Sequence, residues 1–558
     1  MQVRTKIALA FILAGVLAGG CNESDDEVSS SLFLAPVAAG SKQDKRVTVL
    51  AERIDFLRAI RPNATDDELA NIPTEPTVIG RPTLHDNASG SVTLLDEYVV
   101  FEGKTRSLLS ATRCGDQPSH LCSDVTLHYD NKGFDNAQDA FVGSTISSRV
   151  GTFRLQNGWL LAFDALNGNL IAFRKEAPRT VVIDGLPREV KYRSSNNPDS
   201  KNFGAGNGLV ISVVVSGEEF VEQTGFFQVA RILELSPTEL LVLFSSTRDI
   251  YVIELREEED FVPWDLAQNP RNLFACDPQV AGPTCLPVKF LRGSIKLFPD
   301  PANPGSTRPL VRESEILAVT GGAEARLDQF PPVCLSACQD QASASPPSPC
   351  DRVLVFDQIT ASFLSLDLTR TDGKVSSAVV EMTATSQSLV QALEGFGGPY
   401  EFPSAFCDSQ GTEVFIFEDE SDSIVALNYA LPSTSNNIRF FVGPTEIRNR
   451  RDPQGSRRTD AGGDLDLTFS SANARDNRIF YEDASRELLS VNYPAGVVVL
   501  ALNPQDLETA TDLLSRGNFS FMEPDSENDQ KLIVLDRQSS TLLRIDLEYE
   551  ALPVKQNI

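Results

Sequence analysis

Residues 531–547 read KLIVLDRQSSTLLRIDL: an apolar run, the carboxylate of Asp536, a short polar turn and a second apolar run. The phrase occurs six more times. In order the copies are EYVVFEGKTRSLLSAT (from 97), WLLAFDALNGNLIAFR (from 159), ELLVLFSSTRDIYVIEL (from 239), RVLVFDQITASFLSLDL (from 352), EVFIFEDESDSIVALNY (from 413) and RIFYEDASRELLSVNY (from 478). In six copies an acid follows the first run: Glu102, Asp164, Asp357, Glu418, Glu482 and Asp536. An aromatic precedes it at Phe101, Phe163, Phe356, Phe417 and Tyr481. The third copy reads as Phe244 in the aromatic place, followed by Ser245 and a turn one residue shorter.

Two runs rich in Val, Ile, Leu and Phe around a turn of Asp, Ser, Thr, Gly and Asn form a β-hairpin. The runs are almost continuously apolar, so both faces of each hairpin are expected to be covered. A shorter strand precedes most copies, as at 465–469 and 519–522, and another often follows, as at 438–442 and 497–501. Four antiparallel strands per repeat predict an all-β fold, a seven-bladed β-propeller with short helices and insertions between blades. The spacing of the acids is irregular, which places insertions in several blades. An eighth blade stays open, because residues 186–225 exceed what one blade needs and contain GLVISVVV from 208. From about residue 90 onward the pattern resembles the seven-bladed YVTN/NHL-like bacterial propellers.

The chain has 558 residues and a formal charge of −28. So acidic a surface repels phosphate backbones and argues against nucleic acid as a partner. The N-terminus, MQVRTKIALAFILAGVLAGGC, has Arg4 and Lys6 before an apolar core at 7–17. That core is shorter than the ~20 residues of a spanning helix. The segment resembles a bacterial lipoprotein signal. That resemblance implies cleavage before Cys21, a diacylglycerol on its thiol and, with Asn22 next, anchorage in outer-membrane lipid. The expected layout is a signal peptide (1–20), a flexible tether (21–45), an N-terminal extension (46–89) and the propeller (90–558). Val47 to Ala51 is a candidate strand for closing the ring within the last blade.

Eight further cysteines suit an oxidising compartment. Cys114 with Cys122 and Cys276 with Cys285 read as local loop staples. Cys334, Cys338, Cys350 and Cys407 allow three pairings; Cys350 opens the fourth hairpin and Cys407 lies near the next blade's first strand, so one bridge is expected to join neighbouring blades. A zinc site at His120, His128, Cys114 and Cys122 competes with the first staple. His85 is expected at the surface.

In a propeller the turn inside each hairpin and the connection to the next blade emerge on one face. That face collects the six acids and short helices expected at 388–394 and 503–517. The Pro- and Cys-rich insertion 329–350 falls between the first two strands of the fourth blade, on the opposite face. The six acids are read as turn-fixing groups accepting backbone N–H bonds. A shared ion is disfavoured, because the second strand lies roughly 5 Å farther from the axis than the first. A structural calcium ion is the one cofactor the acid clusters at 418–422, 460–466 and 525–529 would suit, and none has EF-hand spacing.

No catalytic motif is present. The second copy, WLLAFDALNGNLIAF, resembles one blade motif of quinoprotein-type propellers and of the lipoprotein in the outer-membrane β-barrel assembly machinery. One basic cluster, Arg448, Arg450, Arg451, Arg457 and Arg458, stands against the acidic background. It suits either intramolecular pairing or an anionic partner. The expected function is a non-catalytic, lipid-anchored propeller that binds a protein or glycan at the outer membrane. The alternative is a divalent-metal-dependent periplasmic hydrolase or lactonase of propeller type.

Overall fold

The computed structural model describes residues 47–86, 89–95, 97–112, 124–129, 146, 150, 153–177, 179–183, 185–190, 208–245, 248–263, 285–340, 349–407, 411–421, 423–433, 437–443, 467–472, 477–482, 487–492, 497–502, 519–524, 531–536 and 539–546. The fold is an all-β propeller with few helices. Six four-stranded antiparallel sheets and one six-stranded sheet each carry one copy of the repeated hairpin as their middle strands. The strand before each hairpin lies innermost. Pro76–Gly80 packs beside Phe519–Pro524 on one side and Phe153–Arg154 on the other, so first and last sheets are neighbours.

Alternation within the apolar runs explains their composition. Val99 and Phe101 join Leu160 and Phe173 of the second sheet. Tyr98 and Val100 join Ile533 and Leu535 of the last. Leu240, Val242 and Phe244 face Trp159 and Phe163, while Leu241 and Leu243 face Val353 and Val355. Leu354 and Phe356 then meet Val414 and Ile416. Each strand is thus a wall shared by two cores, and no position in the run can be polar without facing one of them.

Residues 46–89, set apart above as an extension, supply three strands of the propeller sheets. Pro76–Gly80 is the innermost strand of the first sheet, antiparallel to Glu97–Glu102. Val47–Ala51 pairs antiparallel with Thr541–Asp546, with Val47 opposite Ile545, and completes the last sheet. The boundary at residue 90 therefore cuts through the fold; the short strand Pro76–Gly80 carries no hairpin signal of its own.

The six-stranded sheet holds Gly208–Val215 as the outer neighbour of Asn169–Glu176. The segment GLVISVVV thus belongs to the second sheet. Its remaining strands, Thr83–His85 and Val92–Leu94, are a hairpin from the first repeat. This hairpin leans across and pairs in parallel at Lys175 and Glu176. Three of the helices show their caps in sequence. Thr65 with Glu68 opens Asp66–Ala70, Ser216 with Glu219 opens Gly217–Thr224, and Thr385 opens Ser386–Ala392.

Candidate functional site

The turn acids come first, because they recur. Glu102, Asp164, Asp357, Glu418 and Asp536 are fully buried. Glu102 accepts the backbone N–H groups of Glu75 (2.6 Å), Lys104 (3.2 Å) and Thr105 (2.6 Å), and the Thr105 hydroxyl (2.5 Å). Asp357 accepts from the Arg326 N–H (2.8 Å), the Ile359 N–H (3.3 Å) and the Thr360 hydroxyl (2.6 Å). Glu418 accepts from the N–H groups of Glu401 (3.0 Å) and Ser421 (2.7 Å). Burial pushes its carboxyl above the usual range, against the pull of those bonds. Asp164 takes the N–H groups of Leu166 (3.0 Å) and Asn167 (3.3 Å), and Asp536 takes the Ser539 hydroxyl (2.5 Å).

Three of these turns share a second bond. Gly103, Gln358 and Asp419 donate their N–H back to the carbonyls of Glu75, Arg326 and Glu401. The carboxylate therefore pins its turn to the chain entering the innermost strand of the same sheet. Glu482 lies in the strand Asn477–Glu482, and its side chain is outside the described residues.

The third copy departs from this rule, and not in the way its letters suggest. Glu239 pairs with Glu254 and Leu243 with Ile250, the register of Glu97 with Thr112 and Phe101 with Leu108. The turn is not shorter. Register follows the apolar alternation rather than the acid, so Phe244 holds the acid's place and Leu243 the aromatic's. Asp249 stands where Ser107, Ser362, Ser423 and Thr541 stand in other copies. Phe244 turns into the core, edge-on to Phe220 at 5.4 Å and Tyr251 at 5.5 Å. Asp249 accepts the Glu313 N–H at 2.8 Å, and burial raises its carboxyl.

A cleft of about 140 Å³ opens on the turn face at this site, between the third and fourth sheets. Phe244, Ala325 and Leu327 line it with Ile359, which is 52% exposed. Ser245, Arg248, Glu324 and Arg326 supply the polar groups. Arg248 reaches Glu313 (2.7 Å) and Glu324 (3.1 Å), and Arg326 reaches Asp328 (2.8 Å). The Ser245 N–H donates to the Gln228 carbonyl at 3.0 Å, as Gly103 does to Glu75. The Gln228 N–H, which corresponds to those of Glu75, Arg326 and Glu401, meets no acceptor among the described residues.

The opposite face carries ionic bonds between neighbouring sheets. His85 is buried, not at the surface, because the inserted hairpin lays it on Asn169–Glu176, where its Nδ1 lies 3.1 Å from Glu176. Arg174 bonds Glu176 (3.1 Å) and Glu257 of the third sheet (2.6 Å), with its guanidinium 4.1 Å above the Trp159 ring. The Trp159 indole N–H also donates to Glu257 at 2.8 Å. Burial opposes the charge on Glu257, but these partners prevail and hold its carboxyl below the usual range. Lys175 reaches Glu97 (2.5 Å), and Arg370 of the fourth sheet reaches Glu239 (2.7 Å). Removing one partner of such a pair costs about 3–5 kcal/mol. These groups lie inside the sheets and serve as interblade ties.

Two cysteine bridges are formed: Cys334–Cys350 and Cys338–Cys407, with Cα–Cα distances of 5.7 and 5.3 Å. The second joins the insertion in the fourth sheet to Ser404–Cys407, the innermost strand of the fifth. Cys21, Cys114, Cys122, Cys276, the side chain of Cys285 and the arginines Arg448, Arg450, Arg451, Arg457 and Arg458 lie outside the described residues. Among the described residues no group of three or more His, Cys, Asp or Glu is placed to hold a metal ion.

No protein-family profile and no curated protein matches the chain. Solved structures do. The β-propeller domain of Cps50 (Swd1) from Myceliophteria thermophila aligns at TM-score 0.37 and 10% identity, over 85% of this chain and 100% of that one. Virginiamycin B lyase from Staphylococcus aureus aligns at TM-score 0.35 and 8% identity, over 85% and 99%. The Nup170 N-terminal domain of Chaetomium thermophilum, in complex with Nup53, aligns at 0.39 and 8%, over 92% and 63%. The likeness is one of fold alone.

Proposed function

We propose that the chain is a lipid-anchored protein of the outer membrane whose seven-bladed propeller, of the YVTN/NHL-like kind, binds a protein or glycan partner on its turn face. The lipoprotein-like segment ending at Cys21 supports the anchor, and the two bridges suit an oxidising compartment. Seven hairpins in seven sheets support the blade count. One observation carries the binding role: the turn carboxylates are buried and consumed by backbone N–H groups, so the face offers shape and exposed apolar side chains rather than acid chemistry. Leu166, Val221, Phe226 and Ile359 are exposed there.

Two measurements test the proposal. Mass spectrometry of protein from membranes should find diacylglycerol on Cys21 and no residues 1–20. Cys21→Ser protein should leave the membrane fraction; if it stays, something else anchors the chain. Photo-crosslinkers at Leu166 and Ile359 should capture a partner in cells, and one at Val182, exposed on the projecting hairpin Arg179–Ile183, should not. Capture only from Val182 would move the binding face and refute this assignment.

A further inference from the structure

The face opposite the turns has a projection of its own. Asn169 pairs with Asp164 at the turn, so the strand Asn169–Glu176 leaves the second sheet at the other end. There Arg179–Ile183 runs out and returns as Leu186–Val190, and the two pair with no other described strand. Gly185 closes their turn at φ 78°, and a Cβ on it would meet nothing within 4 Å. Val182 and Leu186 are 65% and 58% exposed. Val92, 45% exposed, stands at the same end of the sheet, opposite His85, which pairs with Glu176.

Register sorts the residues of this hairpin. Arg179 pairs with Val190, Val181 with Arg188 and Ile183 with Leu186. Those positions share one face of the ribbon, and they hold aliphatic residues and two arginines but no acid. Thr180, Val182, Pro187 and Glu189 take the other face. A two-stranded ribbon is marginal in water on its own, so an apolar face with no sheet against it gains by leaving water. We propose that this face lies on a phospholipid bilayer, its aliphatic residues at the acyl boundary and Arg179 and Arg188 at lipid phosphates. The inference rests on the lipid anchor proposed above and adds which side of the propeller meets the membrane.

Two observations select a bilayer as the occupant. The first is where the anchor joins the fold. Val47 lies opposite Ile545, at the end of the last sheet away from the turn between Asp536 and Thr541. The chain from Cys21 therefore enters on the hairpin's face. Residues 22–46 separate the two, and a flexible chain of that length spans roughly 25–30 Å. An anchored propeller thus keeps this face within reach of the lipid, at high effective concentration. The second observation is charge. The chain carries −28, yet this face holds two arginines and no carboxylate, which suits phosphate. Arginine stems lie along an apolar boundary while their heads stay at the phosphates. A second copy docking by the same face would instead set arginines against arginines.

The test uses the mature full-length protein with Cys21→Ser, so that no acyl chain anchors it. Flotation with vesicles of phosphatidylethanolamine and phosphatidylglycerol should show saturable binding at millimolar lipid. Leu186→Asp and Arg188→Glu should each cut that binding at least fivefold with thermal melting unchanged. Val182→Asp, on the other face, should cut it less than twofold. No binding, indifference to the first two variants, or an equal loss with Val182→Asp would each overturn the assignment. Self-association that Leu186→Asp abolishes, with no vesicle binding, would also overturn it and give the face to a second copy. Diacylglycerol on Cys21 of the wild-type protein, with no vesicle binding by the Ser variant, would leave the anchor and remove the hairpin contact. Vesicle binding with no diacylglycerol on Cys21 would do the reverse.

Discussion

Glu234 lies on Val229–Ser236, the innermost strand of the third sheet, and both its oxygens take the Gln156 N–H (2.9 and 3.2 Å). That bond is outweighed by burial, which raises the carboxyl from 4.5 to about 7. A raised acid holds its proton more tightly folded than unfolded. Its contribution to stability is complete below pH 4.5 and is lost as pH climbs through about 7. Glu234→Gln should therefore flatten the fall of melting temperature across that window, measured by calorimetry at several pH values. An unchanged profile would remove Glu234 as its source. At this scale the turn acids were legible, because an acid at a strand end with Ser, Thr or Asn three residues on has a local job. His85 was not: its burial comes from the first repeat's hairpin crossing to the second sheet, and no local pattern encodes that crossing.

The repeated hairpin shows why element-level reading succeeds in outline and slips in register. Apolar runs marked all seven copies, since a strand walled on both faces has no freedom to be polar. The turn of the third copy was misread because Phe244 imitates the aromatic that precedes the acid elsewhere. Only the pairing of Glu239 with Glu254 settles the frame. The joint between elements was half legible too. Proximity in sequence suggested that Cys407 could bridge blades, and Cys338 is its partner. The ring formed by that bond spans 69 residues, against 16 for Cys334–Cys350. Chain-entropy arguments give about 4 kcal/mol for the longer and about 3 kcal/mol for the shorter. Replacing Cys338 and Cys407 together by Ser should thus cost more, in urea titrations, than the matching change at Cys334 and Cys350. The reverse order would show that native strain, not chain entropy, governs the pair.

The whole molecule depends on one pairing that spans its length. Val47–Ala51 completes the last sheet and brings Leu50 and Ala51 into the core between the last and first sheets. Deleting residues 47–51 should lower stability by roughly 3 kcal/mol, the cost of losing one buried aliphatic side chain and its neighbours. It should also leave Thr541–Asp546 as a bare edge and promote self-association, measurable by thermal melts and size-exclusion chromatography. A truncated protein that stays monomeric and melts as before would mean the ring closes without that strand. The order of manufacture gives this seam a further consequence. The sealing strand is made long before its seat, so a nascent chain carries an unmatched ribbon until its last strand is made. Once the last sheet emerges, the open edge of Thr541–Asp546 fits the same ribbon from any sister molecule as well as its own. Crowded synthesis should therefore favour exchanged pairs, each propeller locked with its neighbour's thread, and dilution before folding is complete should suppress them.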